Sequence, residues 1–290
     1  MGTHHRFGYV VPVAWIQYQV LTPVTLYGPG MSPPDSVNRP VKTTEYSIRI
    51  LEALKSNPGQ SLADLTEEFD IARSTIHRHL LTLEANDLIV RDEDGTFSLG
   101  LRLLDFGRRA REYVEFYDVA RQQVDRLAET TGEKVWLIAK EEDYSVHLYK
   151  AHGDNPLETS AQVGQRRDLH QLAAGKSILA FLPDDELDAI LERRELEERT
   201  DSTITSEEAL REELVEIRDR GYAFNIGESV TGLNAVGAPI RDEDGYPVGA
   251  ISVSGPAHRV KDSLLNEELP DKLLAALDEI HISLRYGTNG

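Results

Sequence analysis

Residues 71–100 read IARSTIHRHLLTLEANDLIVRDEDGTFSLG, and the pattern of this stretch decides the first part of the fold. Ile76, Leu80, Leu83 and Leu88 recur at near-helical steps and face inward, while Arg73, Ser74, Thr75, His77, Arg78 and Leu81 fall largely on the other faces. Residues 88–100 then alternate around Asp94-Gly95, a dipeptide suited to the turn of a two-stranded hairpin. Upstream, SLADLTEEF at 61–69 opens on Ser61 with Asp64 three residues later, a capping signature for a short helix. A tight turn around Asp70 separates that helix from the next. Earlier still, Ile48, Ile50, Leu51 and Leu54 form a helical stripe that ends at Asn57-Pro58-Gly59. Helix, helix, turn, helix and hairpin, in that order, predict a winged helix-turn-helix over residues 42–101.

The charge distribution bears on what such a domain could bind. The 290 residues hold 31 Lys+Arg against 50 Asp+Glu, a formal net charge of −19. The cations comprise 8 Lys and 23 Arg. Dense carboxylates with few lysines suit a salt-rich cytoplasm, where the Debye length falls to about 3 Å at 1 M salt. A halophilic source is therefore expected. Against this background, residues 71–83 contain Arg73, His77, Arg78 and His79 with no acid among them. Two arginines and two hydroxyls near a helix N-terminus can meet phosphate oxygens and base edges together. Double-stranded DNA is the expected partner; the alternative is a helix-turn-helix that binds a protein.

Residues 1–30 depart from the rest in holding no Asp or Glu. They lack the form of a signal peptide, and the acidic habit begins after Met31. The expected natural start is Met31, with 1–30 a gene-start artefact or a disordered tail. After the hairpin, Phe106, Ala110, Tyr113, Val114, Tyr117, Val124 and Leu127 predict one connecting helix over 102–128, with Gly107 as a hinge. Beyond it lie short strands: KVWLIAKE, SVHLYKA, ETSAQV, YAFNI, NAVGAPIR and PVGAISVS. Helices are predicted at 172–182, 184–192, 206–219 (capped by Thr205 with Glu208) and 267–284. Local strand pairing with inserted helices predicts an α+β domain with one antiparallel sheet over 129–286. On its last strand Val248, Ala250, Ser252 and Ser254 should share one face, and Ile251 and Val253 the other.

The segments STIHRHLLTLEANDLIVRDEDGTFSLG, DLHQLAAGKSILAFL, IRDRGYAFNIGESVTGLNAVGAPI and GAISVSGPAHRV resemble, in the same order, those of IclR-family transcriptional regulators of an acidic haloarchaeal type. The likeness runs over residues 42–286. It implies a GAF/PAS-like effector domain behind the DNA-binding domain, and a homodimer or homotetramer on a pseudo-palindromic operator. On DNA, it implies base and phosphate contacts from Arg73, Ser74, Thr75, His77, Arg78 and Leu81. At the wing, Asp92, Glu93 and Asp94 would be repelled by phosphate, which leaves Arg91 and Thr96 at its flanks as backbone contacts. For the effector, it implies amides of Ala173 and Ala174, hydroxyls of Ser252 and Ser254, and Asn225 and Ala235 along the side. Relatives often carry an acid at the Asn225 position and a cysteine or other polar group at the Ala235 position. A sugar, sugar acid or small organic or aromatic acid is the expected ligand. The bland alternative is that the two serines merely satisfy buried backbone.

Zero cysteines exclude a disulfide scaffold, thiolate metal sites and a cysteine nucleophile. No HExxH, Walker A or GxSxG pattern occurs, and Lys176 lacks the glycine spacing of a phosphate loop. His77 and His79, two residues apart on a helix, make a poor metal pair. The expectation is a cytoplasmic, non-enzymatic protein without cofactor, metal site or membrane span.

Overall fold

The computed structural model describes residues 41–154 and 160–286. The expectation about residues 1–30 lies outside them. The chain divides into two compact units between Gly100 and Leu101.

The first unit contains α1 (Lys42–Ser56), α2 (Leu62–Glu68), α3 (Arg73–Ala85), β1 (Ile89–Arg91) and β2 (Phe97–Leu99). Its core is Ile50, Leu54, Leu65, Phe69, Ile76, Leu80, Leu83, Ile89 and Phe97. Ser61 caps α2 in the predicted box: its hydroxyl accepts from the amides of Ala63 and Asp64, and the Asp64 carboxylate accepts from the Ser61 amide at 2.8 Å. β1 and β2 pair antiparallel, Ile89 opposite Leu99, with Gly95 in the left-handed region at the turn. The α1 stripe is narrower than predicted, because Ile48 points outward and is 54% exposed.

The second unit begins with a correction. The single connecting helix predicted over 102–128 is two helices, α4 (Arg102–Glu112) and α5 (Tyr117–Thr131). Between them, three-residue turn bonds from Val114 to Arg111 and from Tyr117 to Val114 replace the helical ladder. The cause is burial. Phe116 is only 5% exposed, and its ring fills the space beside Gly249, where a Cβ would come within 2.5 Å of it. Burying a phenylalanine outweighs a few helical hydrogen bonds of about 1 kcal/mol each. The predicted apolar seam is therefore split. Tyr117, Val124 and Leu127 are buried, whereas Phe106 and Tyr113 are exposed and α4 has no buried residue. Gly107 lies within α4, not at the break.

The strands are β3 (Lys134–Glu141), β4 (Tyr144–His152), β5 (Arg166–Asp168), β6 (Ala223–Ile226), β7 (Leu233–Arg241) and β8 (Pro247–Pro256). They form one sheet in the order β5-β4-β3-β8-β7-β6, antiparallel throughout. Helices α6 (Ala173–Ala180), α7 (Asp184–Arg193), α8 (Glu207–Arg220) and α9 (Leu269–Tyr286) complete the unit. One sheet face, with Val135, Leu137, Val236, Ile251 and Val253, packs on α5 and α9. The other, with Trp136, Ile138, Ala235 and Ala250, packs on α6, α7 and α8.

Smaller corrections follow from local geometry. The strand predicted at 158–163 is absent over its described part, 160–163, and β5 forms three residues later against Tyr144–Val146. Ser206, not Thr205, caps α8 by accepting from the Ala209 amide. A π-type turn over Leu264–Glu268 precedes α9. Val248 packs with the α5/α9 face, because a bulge between Ile240 and Arg241 of the β7–β8 ladder interrupts the alternation there. Among the described residues no helix is long and apolar enough to cross a membrane.

Candidate nucleic-acid interface and ligand cavity

α3 buries Ile76, Leu80 and Leu83 and turns Arg73, Ser74, His77, Arg78 and Leu81 outward. Leu81 is 48% exposed, an unusual position for a leucine without a partner. Thr75 is half-buried. His79 leaves the basic face: its Nδ1 lies 2.8 Å from the Ser47 hydroxyl and its ring meets Tyr46 edge-on, so it fastens α3 to α1. The helix has no side-chain cap and no acid in its first turn, so the positive end of its dipole is open. At the wing, Arg91 lies over the Phe97 ring at 5.4 Å, and the Thr96 hydroxyl donates to Asp94 at 2.7 Å. That bond and the Thr96 amide hold the Asp94 carboxyl below its usual range. Thr96 is thus already engaged within the turn.

In the second unit, Ala173, Ala174, Asn225, Ala235, Ser252 and Ser254 line one cavity of about 80 Å³, against roughly 10–15 Å³ for one water. The sheet register explains the convergence. Trp136 pairs with Ser252, Lys134 and Ala235 with Ser254, and Asn225 with Ala235, which sets these side chains on one face. α6 lies directly on that face because β7 has Gly237 there; a Cβ would sit 2.4 Å from the Ala174 nitrogen. No side chain caps α6. Ser254 donates to the Lys134 carbonyl at 3.5 Å, as the bland reading of the serines requires. Ser252 does not fit that reading: it is 6% exposed and its hydroxyl has no hydrogen-bond partner among the described residues. Asn225 is committed at both ends of its amide. It donates to the Gln171 carbonyl at 2.7 Å and accepts from the Glu228 amide at 3.0 Å, tying the loop after β6 to the start of α6.

Among the lining residues that the sequence did not single out are Trp136, His147, Arg167 and Arg199. Trp136 was legible from the alternation of β3. His147 was not, since plain alternation puts it on one face with Tyr149. A bulge at Leu148, where the β3–β4 register shifts between Leu137 and Ile138, separates them. Tyr149 then donates to Asp125 of α5, while His147 meets Trp136 edge-on at 4.6 Å on the cavity side. Burial pushes the His147 imidazole down from 6.5 to about 4, helped by the Arg167 charge and opposed by the bond to the Gln165 carbonyl. The ring is therefore neutral near pH 7, with its Nδ1–H donating to that carbonyl.

A pH dependence follows. Between about pH 6.5 and 4 the unfolded chain takes up a proton at His147 that the folded chain refuses. The stabilisation is complete above pH 6.5 and is lost as pH falls, by up to about 3 kcal/mol. His147→Gln should flatten the unfolding free energy between pH 7 and 4.5 by about 2–3 kcal/mol relative to wild type. Parallel curves in urea titrations would show that His147 is not the group responsible.

Behind the cavity is a buried ion pair. Lys176 of α6 is 1% exposed, and its Nζ lies 2.7 Å from Glu228 Oε1 and 3.9 Å from Glu213. Thr203 donates to the Glu228 carbonyl and Thr200 to the Gly227 carbonyl, so the loop bearing Glu228 is held from two sides. This lysine sits on no phosphate loop. Among the described residues no cluster of three or more His, Asp or Glu could hold a metal ion.

Comparison with known proteins agrees with this geometry. Residues 45–93 match the IclR helix-turn-helix domain and residues 110–282 the C-terminal domain of bacterial IclR transcriptional regulators. The chain is similar to the "Probable HTH-type transcriptional regulator ArcR" of Halobacterium salinarum, 32% identical over 85% of this chain and 95% of that one. It is also similar to the HTH-type transcriptional regulator KdgR of Escherichia coli, 32% identical over 81% of this chain and 88% of that one. Among solved structures, the IclR of Thermotoga maritima superposes with a TM-score of 0.73 at 33% identity, covering 84% of this chain and 99% of that one.

Proposed function

The chain belongs to the IclR family of transcriptional regulators, which bind DNA through the helix-turn-helix and a small molecule through the C-terminal domain, and on that premise we propose how its own residues divide the work. The family is one of regulators, not enzymes. Residues 42–101 act as the DNA-binding domain, 102–128 as the connection and 129–286 as the sensor. α3 enters the major groove: Arg78, His77 and Leu81 face base edges, while Arg73, Ser74 and Thr75 meet phosphates at the open helix end. Arg91 and Thr96 flank the backbone, and the acidic wing tip stays out of the groove. A dimer, or a pair of dimers, sets two copies of α3 on a pseudo-palindromic operator.

The observation that carries this reading is the acid-free run 71–83, which spans α3 up to Glu84 in its last turn, in a chain of net charge −19. The cavity bounded by Ala173, Ala174, Asn225, Ala235, Ser252 and Ser254 takes a metabolite, and its occupancy shifts the DNA-competent state. To regulate tenfold, the ligand must favour one state by about 1.4 kcal/mol. Chromatin immunoprecipitation of the tagged chain in its native salt tests the DNA reading. Sharp peaks over a shared inverted repeat are expected; a folded, expressed protein with no enrichment would turn the helix-turn-helix toward a protein partner.

A further inference from the structure

Arginines in the second unit are mostly matched to carboxylates. Arg166 pairs with Glu141, Arg193 with Asp143 at 2.8 Å and Arg194 with Asp168 at 2.5 Å. Arg167 and Arg199 differ. Both line the cavity, and among the described residues neither has a carboxylate within 4.0 Å. Burial and then the charge of Arg199 hold Arg167 below the usual guanidinium range, with the Asp168 charge acting against them. A half-buried Arg167 beside an exposed Arg199, with no carboxylate in ion-pair reach of either, is unfavourable by itself and odd in a chain with 50 acids to 31 Lys+Arg. Arg199 is not on a loose segment, since its amide donates to Thr203, which in turn donates to Glu228.

The remainder of the cavity has different chemistry. It offers the uncapped start of α6, which Gly237 brings onto the sheet, and the unpartnered, 6%-exposed Ser252. The Trp136 ring and the neutral His147 ring line the same space.

We propose that the ligand of this cavity is a small molecule with two acidic groups, one held by the α6 amides and Ser252, the other clamped by Arg167 and Arg199. The inference rests on the reading of this cavity as the effector site and names the ligand class. A planar guanidinium matches a carboxylate or phosphate in bidentate fashion, and a second anionic group would relieve the repulsion between the arginines. The flat aromatic wall suits a short apolar or aromatic spacer.

Calorimetric titration of the full chain with matched probes tests the assignment: succinate against butyrate, glutarate against valerate, terephthalate against benzoate, and 3-phosphoglycerate against glycerate. At least one dianion is expected to bind tenfold or more tightly than its monoanion counterpart, and the pair that does so separates a dicarboxylate from a phosphate source. Arg167→Met and Arg199→Met should each bring that ratio toward one, with unfolding midpoints confirming that the variants fold. Equal binding within every pair, no binding of any dianion, or a preference that survives both substitutions would each overturn the two-acid assignment. A monoanion that binds wild type and is lost in Ser252→Ala would leave the effector site standing while removing the dianion. Probes that bind wild type and Ser252→Ala alike would place the effector elsewhere.

Discussion

Arg78→Ala lowers operator affinity by about 30-fold or more in high potassium chloride while leaving the first unit folded. Arg78 is exposed on α3, and among the described residues of the first unit no hydrogen bond or ion pair depends on its side chain. A bidentate arginine–guanine contact contributes about 1–3 kcal/mol. A two-fold operator counts that loss twice, so about 2–6 kcal/mol, or roughly 30- to 10⁴-fold, is at stake. High salt sharpens the effect by weakening the phosphate contacts that otherwise mask a missing base contact. Fluorescence anisotropy on an operator recovered from genomic fragments is the measurement. Arg91→Ala is the comparison: as a phosphate contact it should weaken binding similarly on all sequences and reduce the salt slope. Affinity for Arg78→Ala within threefold of wild type would remove Arg78 from base recognition.

Lys176→Met destabilises the second unit by about 3–5 kcal/mol, the usual cost of stranding one partner of a buried pair. The carboxylate left behind has little recourse. Glu228 is 6% exposed, its Oε2 has no partner among the described residues, and its backbone is pinned by Thr203. Removing both charges avoids that penalty, so Lys176→Met with Glu228→Leu should recover at least half of the loss. Urea unfolding at constant salt, followed by tryptophan fluorescence, gives both numbers. A single variant as stable as wild type would mean that solvent reaches Glu228 readily; a double variant no better than the single would mean that Lys176 acts by packing. Because this pair joins α6 to the loop after β6, both edges of the ligand cavity depend on it.

Much of the fold was legible in the sequence, for identifiable reasons. Ser61 with Asp64, the Ile76–Leu80–Leu83 spacing and Asp94-Gly95 are local signals, and local signals survive without tertiary knowledge. The alternation of β8 placed Ser252 and Ser254 on one face with Ala250 correctly, and missed only Val248, which the bulge turns away. What could not be read depends on distant partners. Phe116 breaks the connecting helix because Gly249 leaves a space for its ring, 133 positions later in the chain. Lys176 is explained by Glu228, 52 residues away, and no periodicity marks either. Arg167 and Arg199 lie on segments without a pattern, so their meeting at one wall is a product of the fold alone. His79 looked like part of a basic face until Ser47 of α1 claimed it.

The two bulges of the sheet have a consequence for how this chain can change length over evolution. At Leu148 of β4, and at Val248 of β8, one strand carries a residue that its neighbour does not match. Losing either residue would restore a continuous ladder and leave every flanking side chain on the face it now occupies. His147 would still look toward the cavity and Tyr149 toward α5. A deletion anywhere else in these strands would shift the frame and exchange core for cavity. Gaps in alignments of close descendants should therefore collect at these two positions, and a one-codon deletion scan of β4 should find its most tolerated site at Leu148.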